Sequence, residues 1–174
     1  ISRYIGEKVL VFISFFISES VVKNLISMLK LSFPNYEFRL KKINQKRFIF
    51  DDIRKKYIEL TPEEWVRQNC LRFLEKEKKF KKALISVEKK IQLNNTTKRF
   101  DILAHDINGN CILLVECKAP NIRISQKSFD QILSYNNVIN AKYLMVTNGI
   151  IHYYCKVNKD QNKIDFLKEI PSNK

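Results

Sequence analysis

Short segments of alternating hydrophobic and polar residues occur in the first third of the chain. Such alternation predicts half-buried strands at residues 36–40, 47–50 and 57–60, because successive strand side chains face opposite sides of a sheet. The first two segments are separated by Asn44-Gln45, which indicates a loop. We therefore expect a small antiparallel sheet in this part of the chain.

A helix is predicted directly afterwards, and its start is marked by residues 61–64, Thr-Pro-Glu-Glu. Threonine is a good N-cap, proline fits the first helical position, and acids in the first turn complement the helix dipole. The helix is expected to continue to about residue 79, where lysines suit its C-terminal end. Its apolar stripe would consist of Trp65, Val66, Leu71 and Leu74.

The rest of the chain alternates predicted strands with one further helix. The expected strands are residues 84–93, 99–107, 111–118, 143–147, 151–157 and 164–167. The second helix would cover residues 125–140, with Ser125 as its cap and Phe129, Ile132, Leu133 and Val138 toward the core. The order helix, three strands, helix, strand predicts an α/β fold with a mixed central sheet flanked by helices.

The strongest chemical signal lies in the hairpin formed by residues 99–118. Asn108-Gly109 favours a two-residue type I′ turn, which would place Asp101 directly opposite Glu116 with Cβ atoms roughly 4.5–5.5 Å apart. Two carboxylates so close together repel each other unless a cation lies between them. Lys118 shares the strand face of Glu116. Oxygen ligands beside a lysine suit a hard cation such as Mg²⁺, which indicates a metal-dependent nuclease.

Composition narrows the class of protein. The 174 residues are 45% hydrophobic, which is sufficient for one domain with an ordinary core. The net charge of +14 indicates a polyanionic partner such as nucleic acid, although a Lys-, Asn- and Ile-rich composition also arises in AT-rich genomes.

The four cysteines lack zinc-ligand spacing, so we expect buried, reduced thiols and a cytoplasmic location. Cys111 and Cys117 would share a strand face with Leu113 and Val115.

The N-terminal segment allows three interpretations. Residues 9–18, VLVFISFFIS, resemble the core of a signal peptide, but no convincing cleavage site follows them. An apolar run of about ten residues is too short to span a bilayer. The third interpretation is upstream sequence translated from a misplaced start, with Met28 as the true beginning. We accordingly expect an uncertain extension at residues 1–27, a β extension at 28–60 and the core domain at 61–171.

Five short segments occur in an order that a known family shares. They are FDDIRKKY at residues 50–57, LTPEEWVRQ at 60–68, VECKAP at 115–120, FDQI at 129–132 and VTNG at 146–149. Together they resemble the N-terminal nuclease domain of type I restriction enzyme R (HsdR) subunits, in the short stand-alone form found in bacteria. That domain is a member of the PD-(D/E)xK nuclease superfamily.

The superfamily pattern is present with one departure and one omission. Asp101 and the Glu116-Cys117-Lys118 motif follow it, but Phe100 stands where the motif name has proline. The sequence also contains no G-x₄-G-K-[ST] phosphate loop, so we expect no ATP-driven motor within it.

The resemblance implies a restriction-endonuclease-like αβββαβ core and a Mg²⁺-dependent DNA endonuclease, with Mn²⁺ able to replace Mg²⁺. Asp101, Glu116 and the backbone carbonyl of Cys117 would hold the metal ion together with water. Lys118 would orient or help deprotonate the attacking water, and Gln131 would support the site. The first helix often adds a polar residue in this superfamily, and the candidates are Glu64 and Gln68.

Nucleic-acid contacts are expected around the second helix. The start of a helix beside basic and hydroxyl side chains suits a phosphate. Arg99 would lie opposite Lys118, so that both would point at phosphate. The candidates for DNA binding are Arg99, Arg123, Ser125, Lys127 and Tyr135.

The family resemblance also predicts partners for this chain. Other restriction–modification subunits are candidates by analogy with the family, and no membrane span is expected. A competing interpretation is a module of the same fold that binds DNA or docks a partner with little or no cleavage.

Overall fold

A computed structural model describes residues 30–93, 96–158, 161 and 163–173 of the protein. The chain divides into two units, residues 1–30 and 31–174, and the second contains the fold described below. The extension expected at residues 1–27 lies outside the described residues. None of the described helices is long and apolar enough to cross a membrane.

The described part of the chain contains eleven strands, two α-helices and one 3₁₀ turn at Lys82–Leu84. The helices are α1 (Pro62–Lys76) and α2 (Gln126–Ile139). The strands are β1 (Leu40–Ile43), β2 (Lys46–Asp51), β3 (Lys56–Glu59), β4 (Ile85–Val87), β5 (Lys90–Leu93), β6 (Thr96–Arg99), β7 (Ile102–His105), β8 (Cys111–Cys117), β9 (Tyr143–Thr147), β10 (His152–Asn158) and β11 (Lys163–Leu167).

Six strands form a mixed central sheet in the order β11-β10-β9-β8-β7-β4. β8 and β9 are parallel because α2 carries the chain back between them, whereas the other neighbours are antiparallel. The sequence of elements α1, β4, β7, β8, α2, β9 is the expected αβββαβ order, with the hairpin β5–β6 inserted after β4. The predicted α/β fold with a mixed sheet flanked by helices is confirmed.

A hydrophobic core lies on each face of the central sheet. Val66 and Leu74 of α1 belong to one core, together with Leu113 of β8. Ile132 of α2 belongs to the other, together with Leu114 of β8. Because β8 is buried on both faces, any polar side chain that it carries needs a partner within the protein.

The smaller sheet β1-β2-β3 is antiparallel, and its first turn lies at Asn44 and Gln45 as predicted. Both turn residues have positive φ, 45° and 67°. The strand predicted at residues 36–40 is wrong, because β1 begins only at the last of them. Phe38 instead packs its ring against Trp65 of α1, with ring centroids 5.1 Å apart. Its apolar side chain therefore serves the contact with the helix rather than a strand pairing.

Both helices lie near their predicted positions. The side chain of Thr61 caps α1 as expected, and the helix ends at Lys76, about three residues early. α2 follows Ser125, whose side chain makes no capping hydrogen bond, and it ends where Asn140 adopts a left-handed conformation. Val138, expected in the core, is half exposed because it lies on the solvent side of α2.

Two long predicted strands are each broken, and this correction shapes the site. Residues 84–93 bend at Glu88, which has a φ of 50°, and residues 99–107 bend at Phe100 and Asp101. The bends face each other, because the N–H of Glu88 donates to the carbonyl of Asp101 at 3.0 Å. The hairpin β5–β6 leaves the central sheet at this point.

The hairpin β7–β8 keeps the predicted register near the site. Ile102 pairs with Val115 and Ala104 with Leu113, as predicted, but an irregularity then shifts the pairing so that His105 lies opposite Cys111. The shift is confined to the end of the hairpin that is remote from Asp101 and Glu116.

The predicted two-residue type I′ turn is wrong. The carboxylate of Asp106 accepts the N–H groups of Asn108 (2.9 Å) and Asn110 (2.8 Å), and this side chain encloses a wider loop. As a result Cys111 packs in the α2 core rather than on the face of Cys117. All four cysteines are free thiols; Cys70, Cys117 and Cys155 are buried as expected, whereas Cys111 is half-buried.

Candidate functional site

Asp101 lies at the bend between β6 and β7, and its carboxylate is held from two sides. Its Oδ2 accepts the backbone N–H of Cys117 at 2.7 Å, and its Oδ1 accepts an N–H of Arg67 at 2.7 Å. The side chain keeps 13% of its surface exposed. Asp101 is therefore fixed to β8, the strand that carries Glu116, while part of its carboxylate still faces solvent.

Glu116 projects from β8 and is only 3% exposed. Its Oε1 accepts a hydrogen bond from the ammonium of Lys118 at 2.5 Å. The same ammonium donates to Oε1 of Gln131 at 3.0 Å, and Gln131 Nε2 donates to the hydroxyl of Tyr135 at 3.1 Å. The structure thus brings Glu116, Lys118 and Gln131 into one hydrogen-bonded row, with Tyr135 at its end.

The electrostatics of this row bear on the chemistry of Lys118. Burial, supplemented by the charge of Asp101, raises the pKa of Glu116 from 4.5 to about 7. Burial opposes the charge on Lys118, but the hydrogen bond and charge of Glu116 outweigh it and raise the pKa of Lys118. Lys118 is therefore a cationic hydrogen-bond donor in the metal-free protein, and its role in orienting or deprotonating the attacking water stays a prediction.

Glu64 and Gln68 do not reach the site, which corrects their predicted role. They lie behind it in a buried ion-pair network, where Glu64 accepts from Arg54 at 2.8 Å and from Gln68 at 2.9 Å. Gln68 also donates to Asp51 of β2 at 2.8 Å. A buried carboxylate must be paired, so Glu64 lies against Arg54 and Arg67, and Gln68 bridges two buried acids, Glu64 and Asp51.

The first-helix acid that faces the site is Glu63, which the sequence analysis missed. Burial, followed by the charge of Asp101, raises the pKa of Glu63. The charge of Glu63 also contributes to the raised pKa values of Glu116 and Lys118. Both acids contact Arg67, but consecutive helical residues point about 100° apart, so their other neighbours differ: the charge of Asp101 acts on Glu63, whereas Glu64 pairs with Arg54. That geometry is the signal that separates the two acids.

Arg67 is the second residue that the sequence analysis missed. Its side chain is 5% exposed, and its guanidinium lies within 4 Å of four carboxylates: Glu63 (3.5 Å), Glu64 (2.5 Å), Glu88 (3.0 Å) and Asp101 (2.7 Å). Burial opposes its charge, but the carboxylates, Asp101 first among them, raise the pKa of Arg67 above its ordinary value. Its spacing of three and four residues from the acids of α1 was the available signal.

The residues predicted to bind DNA are divided by the structure. Arg123, Ser125 and Lys127 are exposed before and within the first turn of α2. Arg99 pairs with Lys90 of β5 rather than with Lys118, so that prediction is wrong, because the chain bends between Arg99 and β7. Tyr135 is 7% exposed and packs in the α2 core, which corrects its assignment as a direct DNA contact.

The residues present fit a magnesium ion. Among the described residues no three His, Cys, Asp or Glu side chains gather closely enough to hold a metal ion. Mg²⁺ keeps several waters, however, and one or two carboxylates are a common protein contribution. Asp101 and Glu116 supply two, and a carboxylate oxygen that accepts one hydrogen bond still has a lone pair for a cation. The raised pKa of the buried Glu116 indicates a carboxylate that lacks full compensation by nearby cations.

Comparison with known proteins places the chain. The profile of the family described as type I restriction enzyme R protein N terminus (HSDR_N) matches residues 62–171, which is more than half of the chain. The chain belongs to this family. A fragment of a protein assigned as an HsdR subunit of a type I restriction enzyme from Vibrio vulnificus YJ016 is similar at 19% identity with a TM-score of 0.47. The similarity covers 65% of this chain and 24% of that one. No curated protein matches.

The family match contains the whole candidate site. Glu63, Arg67, Asp101, Glu116 and Lys118 all lie between residues 62 and 171, as does α2 with Gln131. The three-stranded sheet β1–β3 precedes the matched region, although Asp51 at the end of β2 contacts Gln68 of α1. The predicted membership of the HsdR N-terminal family is confirmed. The residues of the candidate site form a single cluster between α1, β8 and α2.

Proposed function

We propose that this chain is a nuclease domain of the PD-(D/E)xK type that hydrolyses DNA phosphodiester bonds with Mg²⁺ or Mn²⁺. The observation that carries the proposal is the cluster of Asp101, Glu116, Lys118 and Gln131, with Glu63 at its exposed side. The membership of the type I restriction enzyme R N-terminal family supports a role in restriction. The net charge of +14 supports a polyanionic substrate.

Each residue of the candidate site would have a separate role in hydrolysis. Asp101 and Glu116, with the carbonyl of Cys117, would hold the metal ion, which lowers the pKa of a bound water and neutralises phosphate charge. Lys118 would donate to the phosphate or to the attacking water, because its ammonium lies beside Glu116 and its pKa is raised. Gln131 keeps that ammonium in place from the α2 side.

A cleavage assay with matched variants tests the proposal. Plasmid and linear duplex DNA would be incubated with Mg²⁺ or Mn²⁺ and with wild type, Asp101→Asn or Lys118→Ala. We expect each variant to lose about a hundredfold or more in rate, because each removes a charged group from the reaction centre. Asp165→Asn and Lys163→Ala are the controls, since these two residues form an ion pair on β11, outside the site. Equal cleavage by all five proteins would contradict the proposal.

A second candidate function is a DNA-binding or partner-docking module without cleavage. It is favoured by the ion pairs of the site, because Arg67 and the Cys117 N–H already hold Asp101 while Lys118 holds Glu116. Binding of duplex DNA by wild type and by both site variants, without cleavage by any of them, would establish this alternative. Calorimetric titration with Mg²⁺ would then show no heat of binding.

A further inference from the structure

We propose that Arg67 is a positioning residue for Asp101: it fixes the carboxylate in the orientation that a metal ion requires. The proposal rests on the proposed function of the site. Arg67 lies on α1, whereas Asp101 lies at the bend before β7, and the guanidinium joins the two at 2.7 Å. Arg67 also contacts Glu63 at the exposed side of the cluster, but at 3.5 Å, so Asp101 is the residue of the cluster that it holds most closely.

The first step of the argument is that Arg67 is itself rigidly held. One terminal nitrogen, Nη1, contacts Glu64 at 2.5 Å and Glu88 at 3.0 Å, while Nη2 contacts Asp101. Glu64 is fixed in turn by Arg54 and Gln68. A planar guanidinium with both ends occupied cannot rotate without breaking charge-assisted hydrogen bonds in a buried site.

The second step concerns the carboxylate. Both carboxylate oxygens of Asp101 accept a hydrogen bond, Oδ1 from Arg67 and Oδ2 from the N–H of Cys117. Two bonds at opposite oxygens fix the rotation of the carboxylate plane, and each oxygen keeps a lone pair for a cation. Without Arg67 only the Cys117 bond would remain, and the carboxylate could turn toward solvent, to which 13% of its side chain is open.

The third step concerns the choice of arginine. A lysine at position 67 would keep the positive charge, but one ammonium cannot reproduce the two-ended contact with Glu64, Glu88 and Asp101. Arg67→Lys therefore separates geometry from charge. The matched control is Arg72→Lys on the same helix, because Arg72 pairs with Asp52 and Glu75 (3.2 Å) and touches no residue of the site.

The first measurement is amide hydrogen exchange of the metal-free protein by NMR. The Cys117 amide is bound by Asp101, whereas the next amide, Lys118, is bound by the carbonyl of Thr147 at 2.8 Å. In Arg67→Lys we expect the Cys117 amide to exchange about tenfold faster or more, because its acceptor is no longer fixed, while the Lys118 amide is unchanged. Arg72→Lys should change neither. Equal acceleration of both amides in Arg67→Lys, or of neither, overturns the proposal.

The second measurement is the Mg²⁺ concentration that gives half-maximal DNA cleavage. We expect Arg67→Lys to raise it about tenfold, the loss typical when a residue that orients a metal ligand is changed, and Arg72→Lys to leave it within twofold. An unchanged Mg²⁺ requirement in Arg67→Lys overturns the proposal. If Arg67→Lys does not fold, Glu88→Gln removes one anchor of Arg67, and an unchanged Cys117 amide in that variant overturns it instead.

The two measurements distinguish this proposal from the one on which it rests. Selective loss of Cys117 protection in a protein that neither cleaves DNA nor binds Mg²⁺ would refute the nuclease and leave Arg67 as the residue that orients Asp101. Cleavage by wild type with no selective change at Cys117 would leave the nuclease intact and refute the positioning role.

Discussion

Replacing Glu116 by glutamine is expected to stabilise the metal-free protein at alkaline pH. Burial, and then repulsion from Asp101, raise the pKa of Glu116 to about 7. An acid with a higher pKa in the folded state binds more protons there than in the unfolded chain. The free energy of unfolding therefore decreases as the pH rises from 4.5, the ordinary value of the group, to about 7. A neutral glutamine carries no such cost.

The size of the effect follows from that interval. A full shift of this size corresponds to about 3–4 kcal/mol at pH values above 7, since each pKa unit is worth about 1.4 kcal/mol. Because the carboxylate is coupled to Lys118 and Asp101, which readjust in the variant, we expect an observed gain of about 1–3 kcal/mol at pH 8. The gain should decline toward zero near pH 5, where Glu116 is protonated in the folded protein.

Urea unfolding at pH 5, 6, 7 and 8 in the presence of a chelator measures this difference. The control is Glu59→Gln, which removes an exposed carboxylate paired with Lys46 on the small sheet and should follow wild type at each pH. A destabilised Glu116→Gln protein at every pH, or a difference independent of pH, would refute the reasoning. If the nuclease proposal is correct, Mg²⁺ at pH 8 should stabilise wild type much more than the variant.

Three further predictions concern packing, pH and DNA. In thermal unfolding, Gly149→Ala should destabilise the protein by about 2–4 kcal/mol, and Gly109→Ala by only about 1 kcal/mol. Both glycines have positive φ, but only at Gly149 would the new Cβ meet a leucine methyl, at 2.7 Å. Burial lowers the pKa of His152 to about 4. The free energy of unfolding should therefore fall by about 1–2 kcal/mol as the pH decreases from 6.5 to 4, and this pH dependence should be weaker in His152→Gln. Arg123→Gln and Lys127→Gln should each reduce the salt dependence of DNA binding by about one unit, and an unchanged slope would exclude that residue from the interface.

The fold could be predicted because its signals are local. Thr61 and Pro62 mark the start of α1, and apolar runs mark β8 and β9, so the order of elements follows from the chain itself. The hairpin register near the site was also predictable, since Ile102 pairs with Val115 as alternation requires. The turn was not, because the side chain of Asp106 competes with the backbone for its hydrogen bonds.

Only the part of the site that lies on single strands and single helix faces could be predicted from the sequence. Lys118 and Gln131 meet as the family pattern implies. Pattern reasoning failed on α1, where the polar residues Glu64, Arg67 and Gln68 are all buried. An amphipathic pattern assigns polar residues to solvent, and only the tertiary fold shows that acids from β2 and from the β4–β5 bend arrive to pair with them. The choice of Glu63 over Glu64 depends on that arrangement.

The burial of so many carboxylates also indicates how the site could change when a metal ion binds. Lys118 is paired with Glu116 on the α2 side, while Arg67 is paired with Asp101 on the α1 side. A cation between the two carboxylates would compete with Lys118, whose side chain is 22% exposed, rather than with Arg67, which is 5% exposed and held by further acids. Under the proposed function, Lys118 would therefore be the cation that can turn toward a phosphate, while Arg67 would keep Asp101 in place. On this argument Lys118 and Arg67 have different tasks although both are cations beside an acid.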